Sequence, residues 1–223
     1  MTIGAYLFGA IPTAYLAARW TRGLDLRRIG SGNVGGTNVI QAVGRTAGLV
    51  VVAFDVFIKG PLPVIIAGSV LGYGRGVEVV AGTAALVGHD WSIYLRLSGD
   101  RRFSGGRGLG TGSGVALAMA WPVWIAFVAV GFGYWAITRN SPVGWAIALL
   151  LLPFIALGIG VAGEYVIYAV IFAAVSAIKR VASNPGERRA PREMSSSRLF
   201  WNRLVYDRDI EDRDAWLKGD AGR

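Results

Sequence analysis

The stretch LGTGSGVALAMAWPVWIAFVAVGFGYWAIT, residues 109–138, contains no Asp, Glu, Lys or Arg. An α-helix rises about 1.5 Å per residue, so roughly 20 apolar residues are enough to cross the hydrocarbon core of a bilayer. On either side of this stretch the chain carries further apolar blocks, which cover residues 2–18, 46–73, 77–95 and 142–178. The pattern predicts an all-α protein, a polytopic bundle of transmembrane helices.

The composition of the chain agrees with a membrane protein and limits its chemistry. Of the 223 residues, 53% are hydrophobic and 17% are charged, against about 25% charged in an average soluble domain. The chain has no Cys and a single His, which excludes a disulfide framework, a cysteine-based zinc site and a thiol nucleophile. Any reaction must therefore use other side chains or backbone groups.

Two of the apolar blocks are interrupted by polar or helix-breaking residues. Asp55, Lys59 and Gly60, together with two prolines, interrupt the block 46–73. Three glycines and a Glu interrupt the block 142–178. We expect both blocks to form broken helices, because proline and glycine weaken the helical hydrogen-bond ladder.

The positions of Lys and Arg predict the orientation of the bundle. Basic residues are concentrated in the segments 19–45, 96–107 and 179–192, while the connections at 74–76 and 139–141 hold one arginine each. Short basic loops stay on the cytoplasmic side, so the three basic segments are predicted to be cytoplasmic. Five net crossings made of up to seven helical pieces satisfy this pattern, with the N-terminus outside and the C-terminus cytoplasmic. No basic residues precede the first block, which we interpret as a transmembrane helix rather than a cleaved signal.

The segment GSGNVGGTN, residues 30–38, lies in the first basic segment. Its glycines allow main-chain N–H groups to turn toward an anion, and Ser31, Asn33, Thr37 and Asn38 add side-chain donors. Nearby arginines raise the local positive potential. A phosphate-bearing ligand suits such a loop. Taken alone, the segment is equally well explained as a turn beside arginines that only follow the charge rule.

The segment FSGGRGLGT, residues 103–111, repeats this chemistry in another predicted cytoplasmic loop. Paired glycines flank Arg107, and Thr111 falls where the apolar helix begins. Exposed N–H groups at a helix start and a guanidinium with several fixed donors are suited to phosphate. The spacing differs from the nucleotide P-loop, which ends in Gly-Lys-Ser/Thr. Two segments of this kind favour an anion site over coincidental turns.

A family resemblance rests on four parts of the chain: the two glycine segments, the GHDW sequence at 88–91, and a basic helix end followed by Gly186 and Glu187. Over about residues 1–189 the chain resembles the bacterial acyl-phosphate-dependent glycerol-3-phosphate acyltransferases, the PlsY family. The resemblance implies transfer of an acyl group from acyl phosphate to the 1-hydroxyl of glycerol 3-phosphate, which gives lysophosphatidate and phosphate in phospholipid synthesis. It also implies a multi-pass protein of the bacterial inner (plasma) membrane whose active site faces the cytoplasm. Expected partners are acyl phosphate, glycerol 3-phosphate, membrane lipids and neighbouring enzymes of phospholipid synthesis, with no nucleic acid, cofactor or metal.

The resemblance and the residue chemistry together name the candidate site residues. Ser31, Asn33 and Arg107 are expected to orient the substrates and stabilise developing charge. His89, the only imidazole, is the candidate base, although we prefer a route in which the leaving phosphate takes the proton itself. The candidate substrate-binding residues are Gly32, Gly35, Thr37, Asn38, Arg45, Gly105, Gly106, Gly108, Thr111 and Glu187.

The chain departs from the family pattern at several positions. Arg107 stands where the family usually has Lys, and Gln41 where it usually has Arg, with Arg45 as a candidate substitute. The segment Asp55–Lys59 resembles the family's Asp-x-x-Lys-Gly with one extra residue. The family's third motif aligns with the basic end of the last apolar block. Its His and Asn fall there on Ala174 and Ala177, which have no polar side-chain atoms. We expect Asn184 and Glu187 to stand in for them.

The same residues also bear on other functions. The altered third motif makes a non-catalytic lipid-phosphate-binding relative or assembly module the main alternative. A transporter is less favoured, because Asp55 and Lys59 are spaced to pair with each other. The His-x4-Asp acyltransferases are excluded because Tyr94 occupies the required position, and no run of carboxylates suggests a metal site.

A change of composition divides the chain into two regions. We predict a transmembrane acyltransferase-like domain at 1–180 and a cytoplasmic charged tail at 181–223. Within the tail, Leu199, Phe200, Arg203 and Leu204 have spacings compatible with an amphipathic helix on the membrane surface, which the serines at 195–197 would cap. A disordered tail is the alternative interpretation.

Overall fold

The computed structural model describes residues 1–99, 104–183, 190–191 and 193–218. Every regular element among these residues is helical, which confirms the all-α prediction. The elements are α1 Thr2–Gly9, α2 Thr13–Arg22, a 3₁₀ turn Leu26–Arg28, α3 Gly36–Ala42, α4 Arg45–Phe54, α5 Pro61–Ile65, α6 Arg75–Asp90, α7 Ile93–Leu97, α8 Leu109–Met119, α9 Trp121–Thr138, α10 Ser141–Ile159, α11 Gly163–Ala182, α12 Ser196–Tyr206 and α13 Arg213–Lys218.

Four of the described helical stretches are long and apolar enough to cross a membrane: Arg45–Val70, Trp121–Thr138, Ser141–Ile159 and Gly163–Ala182. The last three are α9, α10 and α11, and α8 is a shorter apolar helix. Many of their large apolar side chains are exposed on the outside of the bundle, for example Leu150 and Phe154. An apolar outer surface of this kind is suited to lipid rather than water, so the chain is a multi-pass membrane protein.

The stretch Arg45–Val70 runs as one helix, so the predicted break in the block 46–73 is wrong. The π-helical turn Asp55–Lys59 lies between α4 and α5, and a second π-helical turn, Ile66–Val70, follows α5. In the first turn the Gly60 N–H donates to the Asp55 carbonyl at 3.1 Å, a bond that spans five residues. The widened turn takes the chain past Pro61, which has no N–H to donate, without ending the helix.

The block 142–178 is divided into α10 and α11, as predicted. Gly160 ends α10 in the left-handed region at φ 78°, a conformation that glycine adopts at little cost.

The stretch 109–138 is also divided, which its composition alone did not indicate. Ala120, with φ −155° and ψ 84°, separates α8 from α9, and a proline lies in the first turn of α9. Proline is favoured at a helix start because its missing N–H has no partner there in any case. The first block divides in a similar way, since Pro12 precedes α2.

Glycines allow several helices to approach closely at the end of the bundle that carries the glycine segments. A Cβ on Gly88 of α6 would overlap the Tyr6 carbonyl of α1, and a Cβ on Gly60 would overlap the Thr111 carbonyl of α8. Small residues at such crossings are common in membrane proteins, where close backbone packing takes the place of a hydrophobic driving force. The ends of α1, α6 and α8 are therefore held together with the π turn.

Three apolar clusters hold the described bundle, and the two larger ones position the site. The largest cluster lies among α6, α8, α9, α10 and α11 and contains the fully buried Phe127 and Phe172, whose ring centroids are 5.8 Å apart. The second cluster includes Val34, Val51 and Leu95. It packs the first glycine segment against α4 and α7, and so places that segment beside the connection that leads to the second.

Candidate active site

The first glycine segment, residues 30–38, is organised from within by Asn38. Its Nδ2 donates to the carbonyls of Leu26, Ile29 and Asn33 at 3.2, 3.0 and 3.0 Å, and its Oδ1 accepts from the Ser31 N–H at 3.3 Å. The side chain is only 2% exposed. Asn38 was predicted to bind substrate, whereas the structure gives its amide a supporting position inside the loop.

The same loop exposes other predicted groups. Thr37 is exposed on the first turn of α3, and Ser31 and Asn33 are half-buried. The Ser31 Oγ accepts from the Asn33 N–H at 3.3 Å, while the Asn33 Oδ1 is buried with no hydrogen-bond partner among the described residues. Gly32 has φ 76° and Gly35 directly precedes α3. Arg45 begins α4 and is exposed.

The entry to this loop is fixed by an ion pair. Asp25 accepts from the Arg27 Nη2 at 2.8 Å and also from the Arg27 backbone N–H, which caps the 3₁₀ turn. These hydrogen bonds and the Arg27 charge hold the pKa of Asp25 below its ordinary value. The carboxylate is therefore ionised near neutral pH and keeps the loop entry in place.

The second glycine segment lies directly on the C-terminal end of α6. The Gly106 N–H donates to the His89 carbonyl at 3.1 Å, and the Ser92 N–H donates to the Ser104 carbonyl at 3.1 Å. A Cβ on Gly105 would overlap the α6 backbone, and one on Gly106 would overlap the His89 ring. The paired glycines are therefore required for this close approach.

Gly108 makes the turn into α8 at φ 68°. Its position beside the Asp90 carboxylate leaves no room for a side chain. Asp90 is fully buried, and neither of its carboxylate oxygens has a hydrogen-bond partner among the described residues. The charges of Lys179 and Arg107 act on it. Asp90 was part of the GHDW sequence but was not predicted to be a site residue.

Arg107 joins the second glycine segment to the end of α11. Its Nη1 donates to the Lys179 carbonyl at 3.2 Å, and its Nε lies 2.7 Å from the Asp207 Oδ1. Lys179 and Arg180 are buried at 1% and 4% exposure. The Lys179 Nζ also lies 5.2 Å from the centroid of the Trp91 ring. The second motif and the basic helix end thus meet around one guanidinium.

The described parts of the first glycine segment, the second glycine segment and the basic end of α11 lie at the same end of the bundle. Leu95 of α7 shares an apolar cluster with Val34 of the first loop. Three residues earlier, Ser92 bonds to the second loop through its N–H and to the Ala10 carbonyl through its Oγ, at 2.5 Å. On α11, Ala174 is exposed and Ala177 is half-buried. Glu187 and Asn184 lie outside the described residues.

A buried polar cluster lies beneath the second loop. The Lys59 Nζ is 2.6 Å from the Asp55 Oδ1, and the Thr13 hydroxyl donates to Asp55 at 3.0 Å and accepts from Lys59 at 2.8 Å. The predicted pairing of Asp55 with Lys59 is confirmed. A buried pair with further hydrogen bonds is the form in which charge is tolerated at membrane depth.

His89 is connected to this cluster. Its Nδ1 is 3.1 Å from the Thr111 Oγ1 and 3.9 Å from the Asp55 Oδ2. Thr111 is fully buried, so its hydroxyl supports His89 rather than facing an open cavity. The only imidazole of the chain therefore has structural neighbours on its Nδ1 side and the Gly106 backbone beside its Nε2.

An apolar groove of about 460 Å³ runs along α1 and α6. Ile3, Tyr6, Val80 and Val87 are among the residues that line it. The Tyr6 hydroxyl donates to the Trp91 carbonyl at 2.8 Å, so the groove adjoins the GHDW sequence. An alkyl chain in this groove would reach from the bilayer toward the polar end of the bundle.

The fold and these contacts together define an integral membrane protein with two glycine loops and a guanidinium gathered at one end, an arrangement suited to an anionic lipid substrate. A family model described as glycerol-3-phosphate acyltransferase matches residues 1–187. The chain belongs to this glycerol-3-phosphate acyltransferase family.

Individual relatives agree with this assignment. The chain is 38% identical to glycerol-3-phosphate acyltransferase 5 of Dehalococcoides mccartyi, over 97% of this chain and 91% of that protein. It is 39% identical to glycerol-3-phosphate acyltransferase of Synechococcus sp., over 74% of this chain and 79% of that protein. It resembles the crystal structure of PlsY, an integral membrane glycerol 3-phosphate acyltransferase, in the glycerol 3-phosphate form, with a TM-score of 0.72 and 30% identity. That similarity covers 80% of this chain and 86% of PlsY.

Proposed function

We propose that the chain transfers an acyl group from an acyl phosphate to the 1-hydroxyl of glycerol 3-phosphate. It is a membrane glycerol-3-phosphate acyltransferase of phospholipid synthesis, and the acyl-phosphate donor is the more specific part of the proposal. The observation that carries it is the junction of the second glycine loop, the basic end of α11 and the Arg107 guanidinium. Both substrates are anions, and one is also a lipid, so a basic junction at the end of a membrane bundle suits them.

The proposed binding roles follow the chemistry of each group. Arg107 binds a phosphate or the developing negative charge through its planar set of N–H donors. Ser31, Asn33 and Thr37 hydrogen-bond the glycerol substrate, and Arg45 adds positive charge beside the first loop. Gly32 and Gly35 let the backbone of the first loop lie close to the ligand, while Gly105, Gly106 and Gly108 let the second loop pack on the end of α6 beside it. Asn38 and Thr111 support the loops. Glu187 stays a proposal from the resemblance alone.

The proposed reaction needs one bond formed and one broken. The 1-hydroxyl oxygen attacks the acyl carbonyl carbon, the bond from that carbon to the phosphate oxygen breaks, and inorganic phosphate leaves. The hydroxyl proton passes to the departing phosphate. His89 is held by Thr111 and lies near Asp55 beneath the loop, which favours the substrate phosphate over His89 as proton acceptor. Donors fixed before the reaction lower the cost of the developing oxyanion.

The apolar groove beside Tyr6 is proposed to hold the acyl chain. Its lining is almost wholly apolar, and its position next to Trp91 directs a chain toward the second loop. The active site is proposed to face the cytoplasm of a bacterium, at its inner membrane, where the basic loops satisfy the charge rule. Neighbouring enzymes of phospholipid synthesis would supply the donor and consume the product.

A non-catalytic role is less favoured despite Ala174 and Ala177. Relatives that align over 97% of the chain are named as acyltransferases. Other polar groups are present at this end of the bundle, where Lys179, Arg180 and Asp207 lie.

The first prediction tests the reaction and its two main side chains. Purified protein in lipid is given palmitoyl phosphate, with and without glycerol 3-phosphate, and phosphate release is measured. Release is expected to depend on glycerol 3-phosphate and to fall about a hundredfold or more in Ser31→Ala and in Arg107→Ala, because fixed donors of this kind contribute about 10²–10³ in rate.

Matched substitutions at exposed positions serve as controls. Ser197→Ala and Arg22→Ala remove an exposed hydroxyl and an exposed guanidinium, and both are expected to retain the activity of the unaltered protein. Binding of either substrate without any phosphate release would instead identify a binding-only relative.

A further inference from the structure

The C-terminal segment contributes an acidic side chain to the Arg107 junction. Asp207 directly follows α12, and its Oδ1 lies 2.7 Å from the Arg107 Nε. Its backbone carbonyl also accepts from the Arg107 Nη2 at 3.5 Å. The side chains of Arg107 and Asp207 are only 10% and 23% exposed, so water screens this ion pair less than a surface pair.

The turn that carries Asp207 is anchored on several sides. The Arg203 Nε lies 2.6 Å from the buried Asp209 carboxylate, and the Arg203 Nη1 donates to the Val181 carbonyl at 3.0 Å. The Asn202 Nδ2 donates to the Asp209 carbonyl at 2.9 Å. Arg203 therefore ties α12 and the following turn to the end of α11.

Two further features fix the position of Asp207. The Arg180 Nη1 of α11 donates to the Leu204 carbonyl of α12 at 3.0 Å, which holds the last turn of that helix. Asp207 itself, at φ 57°, is the left-handed C-cap of α12, a position at which helices commonly end and which Asp tolerates. The carboxylate is therefore placed by the fold and is not a mobile surface group.

This segment lies outside the part of the chain that matches the family model, which ends at residue 187. A relative from Dehalococcoides mccartyi nevertheless aligns over 97% of the chain, so that alignment must extend beyond residue 187. The segment places Asp207 beside an arginine rather than a lysine. An ammonium group is a point charge, whereas a guanidinium is a plane that a partner on one edge can orient.

We propose that Asp207 is a positioning residue for Arg107, which it orients through the ion pair between its carboxylate and Nε and through the hydrogen bond from Nη2 to its carbonyl. The inference rests on the proposed function, in which Arg107 meets the substrate anion. With Lys179 supplying its carbonyl to Nη1, Asp207 fixes the plane of the guanidinium before substrate arrives. The C-terminal segment is then part of the active site.

A double-mutant cycle tests this role. Phosphate release with palmitoyl phosphate and glycerol 3-phosphate is measured for the full chain, Asp207→Asn, Arg107→Lys and the double variant. Asp207→Asn is expected to lower kcat/KM by about ten- to a hundredfold, as loss of an orienting partner commonly does. In the Arg107→Lys background the same change is expected to alter kcat/KM by less than about threefold, because the oriented plane is already gone. Asp207→Glu, which keeps the charge, is expected to recover part of the activity.

Glu211→Gln is the matched control, since it neutralises an exposed carboxylate four residues further along the same segment, and it is expected to behave like the unaltered protein. If Asp207→Asn only destabilised the protein, it would lower activity equally in both Arg107 backgrounds and overturn the inference. Faster turnover in Asp207→Asn would identify an inhibitory contact instead and would also overturn it. Loss of activity in Arg107→Ala with full activity in Asp207→Asn would reject only this inference. Absence of glycerol-dependent release from the unaltered chain would reject the proposed function as well.

Discussion

Single side chains in the first loop divide into those that hold the loop and those that face outward. Asn38 makes four hydrogen bonds to the loop backbone from a buried position, while Thr37, the preceding residue, is exposed. Both residues were predicted to bind substrate because both carry hydrogen-bonding groups. Their accessibility differs because α3 turns one side chain toward the loop and its neighbour away from it.

This difference leads to a prediction at the residue scale. Asn38→Ala removes the amide and leaves the buried Leu26 carbonyl without its side-chain donor, at a cost of about 1–3 kcal/mol. The thermal unfolding midpoint and the activity are both expected to fall. Thr37→Ala is expected to leave the unfolding midpoint unchanged and to raise the KM for glycerol 3-phosphate. An unaltered unfolding midpoint in Asn38→Ala would contradict the supporting role.

At the scale of elements, the π turn Asp55–Lys59 determines where charge lies inside the bundle. Three residues separate Asp55 from Lys59, and the widened turn closes with a hydrogen bond from the N–H of Gly60 to the carbonyl of Asp55, five positions earlier. Asp55 and Lys59 remain in contact, and Thr13 bridges them. Sequence spacing indicated the pair correctly, but it could not show that the helix continues past the prolines.

The buried pair gives a prediction at this scale. Lys59→Met leaves the Asp55 carboxylate buried without its cation and is expected to destabilise the protein by about 3–5 kcal/mol. Replacing both residues, as in Asp55→Leu with Lys59→Met, is expected to restore much of the loss, since no unpaired charge remains. Thermal unfolding in detergent compares the two. A double variant no more stable than the single one would show that Asp55 and Lys59 act independently.

The whole molecule has a definite orientation in the proposed function, and the absence of cysteine makes it testable. Single cysteines are introduced at exposed positions of the otherwise cysteine-free chain: Thr21 and Ser197 at the basic end, and Gly74 and Arg139 at the connections assigned to the outside. A membrane-impermeant maleimide is expected to label Gly74→Cys and Arg139→Cys in intact cells. Thr21→Cys and Ser197→Cys are expected to react only after the inner membrane is opened. The reverse pattern would place the active site outside the cell.

The sequence by itself determined the class of molecule and supplied the candidate residues of its site. Long apolar blocks require helices in a bilayer, because unpaired backbone groups are costly there. The composition of the two glycine loops led to the prediction of an anion site. The pairing of Asp55 with Lys59 and the division between α10 and α11 also followed from spacing and glycine content. Local rules of this kind act over a few residues and can be read without the fold.

Only the tertiary structure decided how distant segments meet. The contact of Arg107 with Asp207 joins residues a hundred positions apart, and no periodicity or motif links them. Packing against other helices likewise decides three further features. These are the exposure of Thr37 beside the buried Asn38, the support of His89 by Thr111, and the split between α8 and α9. Spatial proximity arises from the sum of many apolar and close backbone contacts, so it cannot be assigned from the letters around any one residue.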